Sequence, residues 1–135
     1  MQSQDTFTNR LSQDIWESKY RYLGPGVAET SIARTWQRVA RALAAVEATE
    51  RDEWEVRFLD LLDGFRFLPG GRILAGAGTR HTTTLCNCFV MGFIEDSIDS
   101  IFERLKEGAL TMQWGGGIGV DFSTLRPQGS VAETR

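Results

Sequence analysis

Hydrophobic positions along this chain keep a helical period through its first half, lose it in the middle, and resume it once before the end. After ten polar, aperiodic residues that read as a loose arm, a short helix is expected from Gln13 to Tyr22, stopped by the turn sequence Gly24-Pro25-Gly26. Ser31 can cap a longer helix in which Ile32, Trp36, Val39, Leu43 and Val46 advance by fours and threes, a single stripe along the 3.6-residue period that has to pack on something. Asp52 followed by Glu55 has capping-box spacing. Behind it Trp54, Phe58, Leu61, Leu62 and Phe65 supply another apolar face, with Gly64 near the expected end. Trp16, Trp36 and Trp54 fall on these faces and are read as core.

At Phe67 the character changes. The stretch FLPGGRILAGAGTRHTTT is rich in glycine and threonine and reads as loop with one short strand at Ile73 to Ala75. Leu85 to Met91, LCNCFVM, is a compact apolar run that fits a buried strand, with Cys86, Cys88 and Val90 on one face. From Asp96 or Ser97, a capping residue, an amphipathic helix is expected to run to about Met112. Its buried side would be Ile98, Ile101, Phe102, Leu105, Ala109 and Met112. Gly115-Gly116-Gly117 stops it, and Ile118 to Phe122 reads as a second strand. Strand, helix, strand is the parallel crossover unit of an α/β sheet or barrel. The expected organisation is therefore an arm at 1–10, a helical segment at 11–66 and the start of an α/β domain at 67–135. A lone parallel pair leaves both edges unpaired, and the final LRPQGSVAETR carries no stop signal for a fold, so a truncated or split protein is expected.

Composition narrows the chemistry. The chain has 135 residues, 41% of them hydrophobic, enough for one ordinary core. Its 15 basic and 18 acidic residues leave a net charge of -3, without the basic excess that draws a nucleic-acid backbone, so no nucleic-acid partner is expected. The N-terminus has no apolar signal-peptide core and no apolar run approaches the ~20 residues that span a bilayer. No membrane association and a cytoplasmic location are expected. Cys86 and Cys88, the only two cysteines, are separated by one residue, so they are no long-range staple and matter, if at all, as thiols. A tetrahedral metal site needs four ligands, and His81 is the one further soft candidate, so no metal site is expected.

Several features admit two readings. Gly115-Gly116-Gly117-Ile118-Gly119 lies between a helix and a following strand, the reverse of the phosphate-binding glycine loops, and fits either a tight turn or a surface closely approached by a ligand. Either cysteine is equally a small core residue. Asp96 and Ser97 are helix caps that also lie where exposed amides can bind an anion. Arg72, Arg80 and Arg126 sit in or beside loops and have the fork geometry for phosphate, though most arginines are simply solvated.

Taken together, FLPGGRILAGAGT, TLCNCFVM, DSIDSIF and TMQWGGGIGVDFSTLRPQGS resemble, in order and spacing, the N-terminal part of the ribonucleotide reductase catalytic subunit. The closer likeness is to the class II, adenosylcobalamin-dependent branch, and WESKYR with TWQRVARALAAVE is similar to that branch's N-terminal helices. The resemblance implies a helical segment followed by the first strand-helix-strand of a ten-stranded α/β barrel. It implies that Cys88 is one half of a redox pair, oxidised to a disulfide as the ribose 2'-hydroxyl leaves as water. Asn87, Gly70, Gly71 and Gly117 match substrate-holding positions, while Asp96, Ser97, Ile98 and Arg126 match positions that bind a deoxynucleotide effector. The implied partners are a ribonucleotide, the effector, the C-terminal remainder of the reductase or a second subunit, a thioredoxin-type reductant and a second copy of the chain. Cys86 is an additional thiol with no implied role. The family's second redox cysteine, its radical-forming cysteine, its acid-base residues and most of its adenosylcobalamin surface are not found here, so the chain alone is expected to be inactive. The alternative is a non-catalytic helical binding or regulatory module derived from that enzyme.

Overall fold

The computed structural model describes residues 7–131, which divide into two compact units between Leu85 and Cys86. The first unit is helical. Asn9 caps α1 (Arg10–Ile15), its side-chain oxygen accepting from Ser12 N–H at 2.8 Å, and the chain continues as a π turn, Trp16–Tyr20. The wider turn is closed by Arg21 N–H donating to Trp16 O at 2.8 Å. The expected helix at Gln13 to Tyr22 is thus present but begins earlier and changes pitch. Phe7 lies against the Trp16 ring, centroids 5.6 Å apart; residues 1–6 of the expected arm lie outside the described residues.

Pro25-Gly26 turns a short antiparallel hairpin of β1 (Leu23–Gly24) and β2 (Val27–Ala28). Next, α2 (Ile32–Ala44) buries Ile32, Trp36 and Val39 of the expected stripe together with Thr35, Ala40 and Ala44. Leu43 is half-buried and Val46 lies beyond the helix, exposed. Ser31 occupies the cap position, but its side chain makes no capping bond. The following helix, α3 (Arg51–Leu62), is capped at Glu50 in a left-handed conformation, φ 55°, rather than at Asp52. Asp52 thus falls inside the first turn with Glu53, where its charge complements the helix N-terminus instead of capping it. Of the expected apolar face only Leu62 is fully buried; Trp54 and Phe58 are half-buried and Leu61 and Phe65 exposed. Trp54 is therefore not a core residue.

After a 3-10 turn (Asp63–Phe65) the segment read as loop and strand forms α4 (Gly71–Gly76), so Ile73 to Ala75 are helical. The reason is visible in its packing: Leu74 and Ala77 join Trp16, Ile32, Trp36, Val39 and Leu62 in one core, and each fully buried aliphatic or aromatic side chain contributes about 1.5–3 kcal/mol of transfer free energy. Gly78, at φ 70°, follows with its Cα so close to α2 that a Cβ would lie 2.9 Å from Arg38 Cγ.

The second unit contains β3 (Cys88–Val90), α5 (Ile98–Gln113) and β4 (Gly117–Gly119). The strands pair in parallel, Cys88 with Gly117, Phe89 with Ile118 and Val90 with Gly119. Gly117 N–H to Asn87 O (2.8 Å) and Met91 N–H to Gly119 O (2.9 Å) extend the ladder at both ends. The strand-helix-strand order is as expected, but both strands are shorter than expected and the second begins one residue earlier. The expected buried strand is open on one side: Cys88 and Val90 are exposed while Phe89 is half-buried. Cys86 precedes the strand and does not share its face by register. Nor is the apolar side of α5 covered within this unit, with Ile98 70% and Phe102 61% exposed.

A candidate redox thiol and nucleotide-binding residues

Cys88 stands at the start of β3, where strand alternation turns it to the same side as Val90 and away from Phe89. Phe89 takes the inner side because Gly116 has no side chain; a Cβ there would lie 2.7 Å from its ring. Opposite Cys88, a Cβ on Gly117 would lie 3.8 Å from the Cys88 sulfur and 3.3 Å from Asn87 O. Glycine at this position therefore leaves one flank of the sulfur bare and lets the Asn87 carbonyl sit over the Gly117 amide. Cys86 and Cys88 are both exposed thiols. An exposed sulfur with an uncovered flank can undergo thiol-disulfide exchange, which needs in-line access for an attacking thiolate. Asn87, Cys88 and Gly117 are thus brought together in one strand pair.

The residues around the start of α5 form a second group in this unit. Ser97 caps the helix, its hydroxyl accepting from Ser100 N–H at 3.2 Å, while Ser100 Oγ accepts from Glu95 N–H at 2.9 Å. Ile98 is the first helical residue. Arg126 Nε lies 3.4 Å from Asp96 Oδ2, so the ion pair brings the residue before the helix cap and the C-terminal loop together. In the intervening turn Ser123 N–H donates to Asp121 Oδ1 at 2.8 Å. This bond, with a smaller one from the Ser123 hydroxyl, holds the Asp121 carboxyl below the usual aspartate value.

Gly70 and Gly71 belong to the first unit. Gly70 O accepts from Ile73 N–H (2.9 Å) and Leu74 N–H (3.3 Å) at the start of α4, and a Cβ on Gly71 would lie 3.2 Å from the Tyr20 hydroxyl. The α4 turn is held by Arg38, 10% exposed, which donates to Leu74 O at 2.9 Å, to Tyr20 O at 3.3 Å and to Ala77 O. Glu29 accepts from Arg38 Nε at 2.7 Å, from the Thr35 hydroxyl at 2.7 Å and from Tyr22 N–H at 2.9 Å, and Thr35 in turn accepts from Trp16 Nε1 at 2.8 Å. Sequence reasoning passed over this network. Thr35 and Arg38, three apart on a helix, share a face, but only the fold shows that Glu29 is buried against them. Among the described residues no group of three or more His, Cys, Asp and Glu side chains is placed to hold a metal ion, and no helix is long and apolar enough to cross a membrane.

Residues 6–82 match the family model described as "Ribonucleotide reductase, all-alpha domain" and residues 86–134 the one described as "Ribonucleotide reductase, barrel domain". The gap between the two matches coincides with the division between the units. A "Vitamin B12-dependent ribonucleoside-diphosphate reductase" of Mycobacterium tuberculosis (strain CDC 1551) is 40% identical over 109 residues, covering 77% of this chain and 16% of that protein. A protein of the same name from Thermoplasma acidophilum is 41% identical over 75 residues, 56% of this chain and 10% of that protein. The "Ribonucleoside-diphosphate reductase subunit alpha" of Chlamydia pneumoniae is 33% identical over 96 residues, 71% of this chain and 9% of that protein. The chain thus spans between 9% and 16% of the length of these relatives.

Proposed function

Since the chain belongs to the ribonucleotide reductase large-subunit family, with its all-α domain followed by the start of its barrel domain, we propose that it contributes one redox thiol and parts of the substrate and effector sites to a ribonucleoside-diphosphate reductase. We place the boundary between the helical domain and the barrel start near Leu85, where the two units divide, later than the expected boundary at 66/67. The observation that carries the reading is the exposed Cys88 sulfur beside Gly117, in a strand pair whose partner position has no side chain to cover it.

In this reading Cys88 and a second cysteine of the reductase supply two electrons and two protons. The ribose carbon–oxygen bond breaks, the 2'-oxygen leaves as water, a carbon–hydrogen bond takes its place, and the two sulfurs become a disulfide that an external thioredoxin-type dithiol reduces. Asn87 and the backbone at Gly117, Gly70 and Gly71 hold the ribonucleotide, through amides and carbonyls close enough to touch it because glycine has no side chain. Asp96, Ser97 and Ile98 at the start of α5 receive the deoxynucleotide effector, and the terminal nitrogens of Arg126 hold its phosphates. The remainder of the reductase, or a second subunit, and a second copy of the chain complete these sites, in the cytoplasm.

The cobalamin-dependent branch is favoured by the names of the Mycobacterium and Thermoplasma relatives. When bound, adenosylcobalamin supplies the initiating radical. The described residues do not themselves fit a cobalt ligand set: His81, the one imidazole of the sequence, packs edge-on against Tyr22 at 5.6 Å, and the site residues above are glycines, an amide, a thiol and a helix start.

The test is steady-state deoxynucleotide formation, with a dithiol reductant, by the reductase reconstituted with this chain. Cys88→Ser keeps the shape of the side chain but cannot form a disulfide, and is expected to abolish multiple turnover with the melting transition unchanged. Cys86→Ser is expected to retain turnover. Normal turnover in Cys88→Ser, or loss confined to a well-folded Cys86→Ser, would assign the redox role to the wrong cysteine.

A further inference from the structure

We propose that the cleft between the β1–β2 hairpin and α2 is a binding site for a polyphosphate group, separate from the residues assigned above to substrate and effector. The cleft measures about 760 Å³, within the roughly 300–1,000 Å³ of small-ligand pockets. Arg34, Arg38 and Arg41 reach it from one face of α2, because steps of four and three residues return to the same side of a helix. Arg80 reaches it from the segment after α4, its backbone N–H bonded to the Tyr22 hydroxyl at 3.3 Å.

The charges of these arginines are unequally matched. Among the described residues Glu29 is the one acidic residue lining the cleft, and it is already engaged by Arg38 at 2.7 Å. Among the described residues Arg34 has only a long contact, 3.4 Å, to the neutral Gln37. Arg41 spends its Nε on Glu55 at 3.3 Å and keeps both terminal nitrogens, and the Arg80 guanidinium has no ion pair among the described residues. In a chain of net charge -3, the guanidinium groups of Arg34, Arg41 and Arg80, gathered at one cleft beside the paired Arg38, are a local exception. Their planar forks suit phosphate oxygens bidentately. Seven residues separate Arg34 from Arg41, about 10 Å along the helix axis, more than one phosphate group spans and suited to a linear chain of them. Pro25 and Val27 on the hairpin and Ala45 at the C-terminal cap of α2 add an apolar wall beside the charges. The phosphate chain could belong to a nucleotide or to inorganic polyphosphate, and the apolar wall makes the distinction measurable.

Titration calorimetry on the whole chain at low ionic strength, with inorganic tripolyphosphate, adenosine triphosphate and orthophosphate as separate probes, tests this. Saturable tripolyphosphate binding is expected, weakened by added salt and much weaker for orthophosphate. Tighter binding of the nucleotide identifies it as the source, and equal binding identifies the phosphate chain alone. Arg34→Gln and Arg80→Gln, both at exposed side chains, should each weaken tripolyphosphate binding on the order of tenfold, with thermal melting unchanged. Arg10→Gln, at an exposed arginine outside the cleft, should leave it as it is. Absence of saturable binding, undiminished binding in both cleft variants, or an equal loss in Arg10→Gln would overturn the proposal. None of these outcomes bears on the role of Cys88.

Discussion

Replacing Glu29 by glutamine tests the buried network that holds the start of α4. Three donors converge on this side chain, which is 3% exposed: Tyr22 N–H and the Thr35 hydroxyl on Oε2, and Arg38 Nε on Oε1. A carboxylate accepts at both oxygens, whereas an amide accepts at one and presents N–H at the other. In Glu29→Gln either Arg38 faces an N–H or Tyr22 and Thr35 do, and in both cases the guanidinium, 10% exposed, loses its counter-charge. Removing one partner of a buried pair costs about 3–5 kcal/mol, most of it from the uncompensated charge left behind. The amide retains part of the bonding, so a loss of about 3 kcal/mol is expected. Urea unfolding followed by tryptophan fluorescence reads it, since Trp16 and Trp36 are buried in the same unit. Arg38→Met should cost a similar amount, leaving the carbonyls of Tyr20, Leu74 and Ala77 without their donor. The double variant should cost less than the two singles together by about 1–3 kcal/mol, because no unpaired charge remains. A loss below about 1 kcal/mol in Glu29→Gln, or strict additivity in the double variant, would show that the network carries little energy and that apolar packing alone holds α4.

The remaining predictions concern the second unit. Gly117→Ala, in a Cys86→Ser background so that a single thiol is read, should slow the reaction of Cys88 with a disulfide reagent several-fold, because the new methyl lies 3.8 Å from the sulfur; an unchanged rate would remove Gly117 as the reason the sulfur is accessible. Ser97→Ala should destabilise α5 by about 1 kcal/mol through loss of the bond to Ser100 N–H, seen as faster hydrogen exchange at that amide; unaltered exchange would contradict the cap. In a carboxyl NMR titration Asp121 should have a midpoint below the ordinary aspartate value, and Ser123→Ala should raise it only in part, because the larger contribution is the backbone amide. Since the folded pKa is the depressed one, the stabilisation is present above the unfolded value of about 3.9 and is lost as pH falls through the folded value. A midpoint at or above the ordinary value would refute it.

Local pattern determined those elements whose neighbours along the chain suffice to specify them. The α2 stripe of Ile32, Trp36 and Val39, the Ser97 cap of α5 and the strand-helix-strand order around it follow from helical period, a capping hydroxyl and a glycine stop, and the family motifs were legible for the same reason. Residues 71–76 could not be read this way. GRILAG has too few residues for a period and begins with glycine, and it is helical because Leu74 and Ala77 reach the core of α2 and Arg38 ties down its carbonyls. The burial of Glu29 and the meeting of Arg80 with Arg34 and Arg41 at one cleft were decided by tertiary structure alone. Each depends on segments distant in sequence meeting in space, and no periodicity within one segment records which distant donor or charge it will meet. At the candidate site the division is the same: motif reading singled out Cys88 and Gly117 separately, while their parallel register, which sets a bare glycine beside an open sulfur, belongs to the fold.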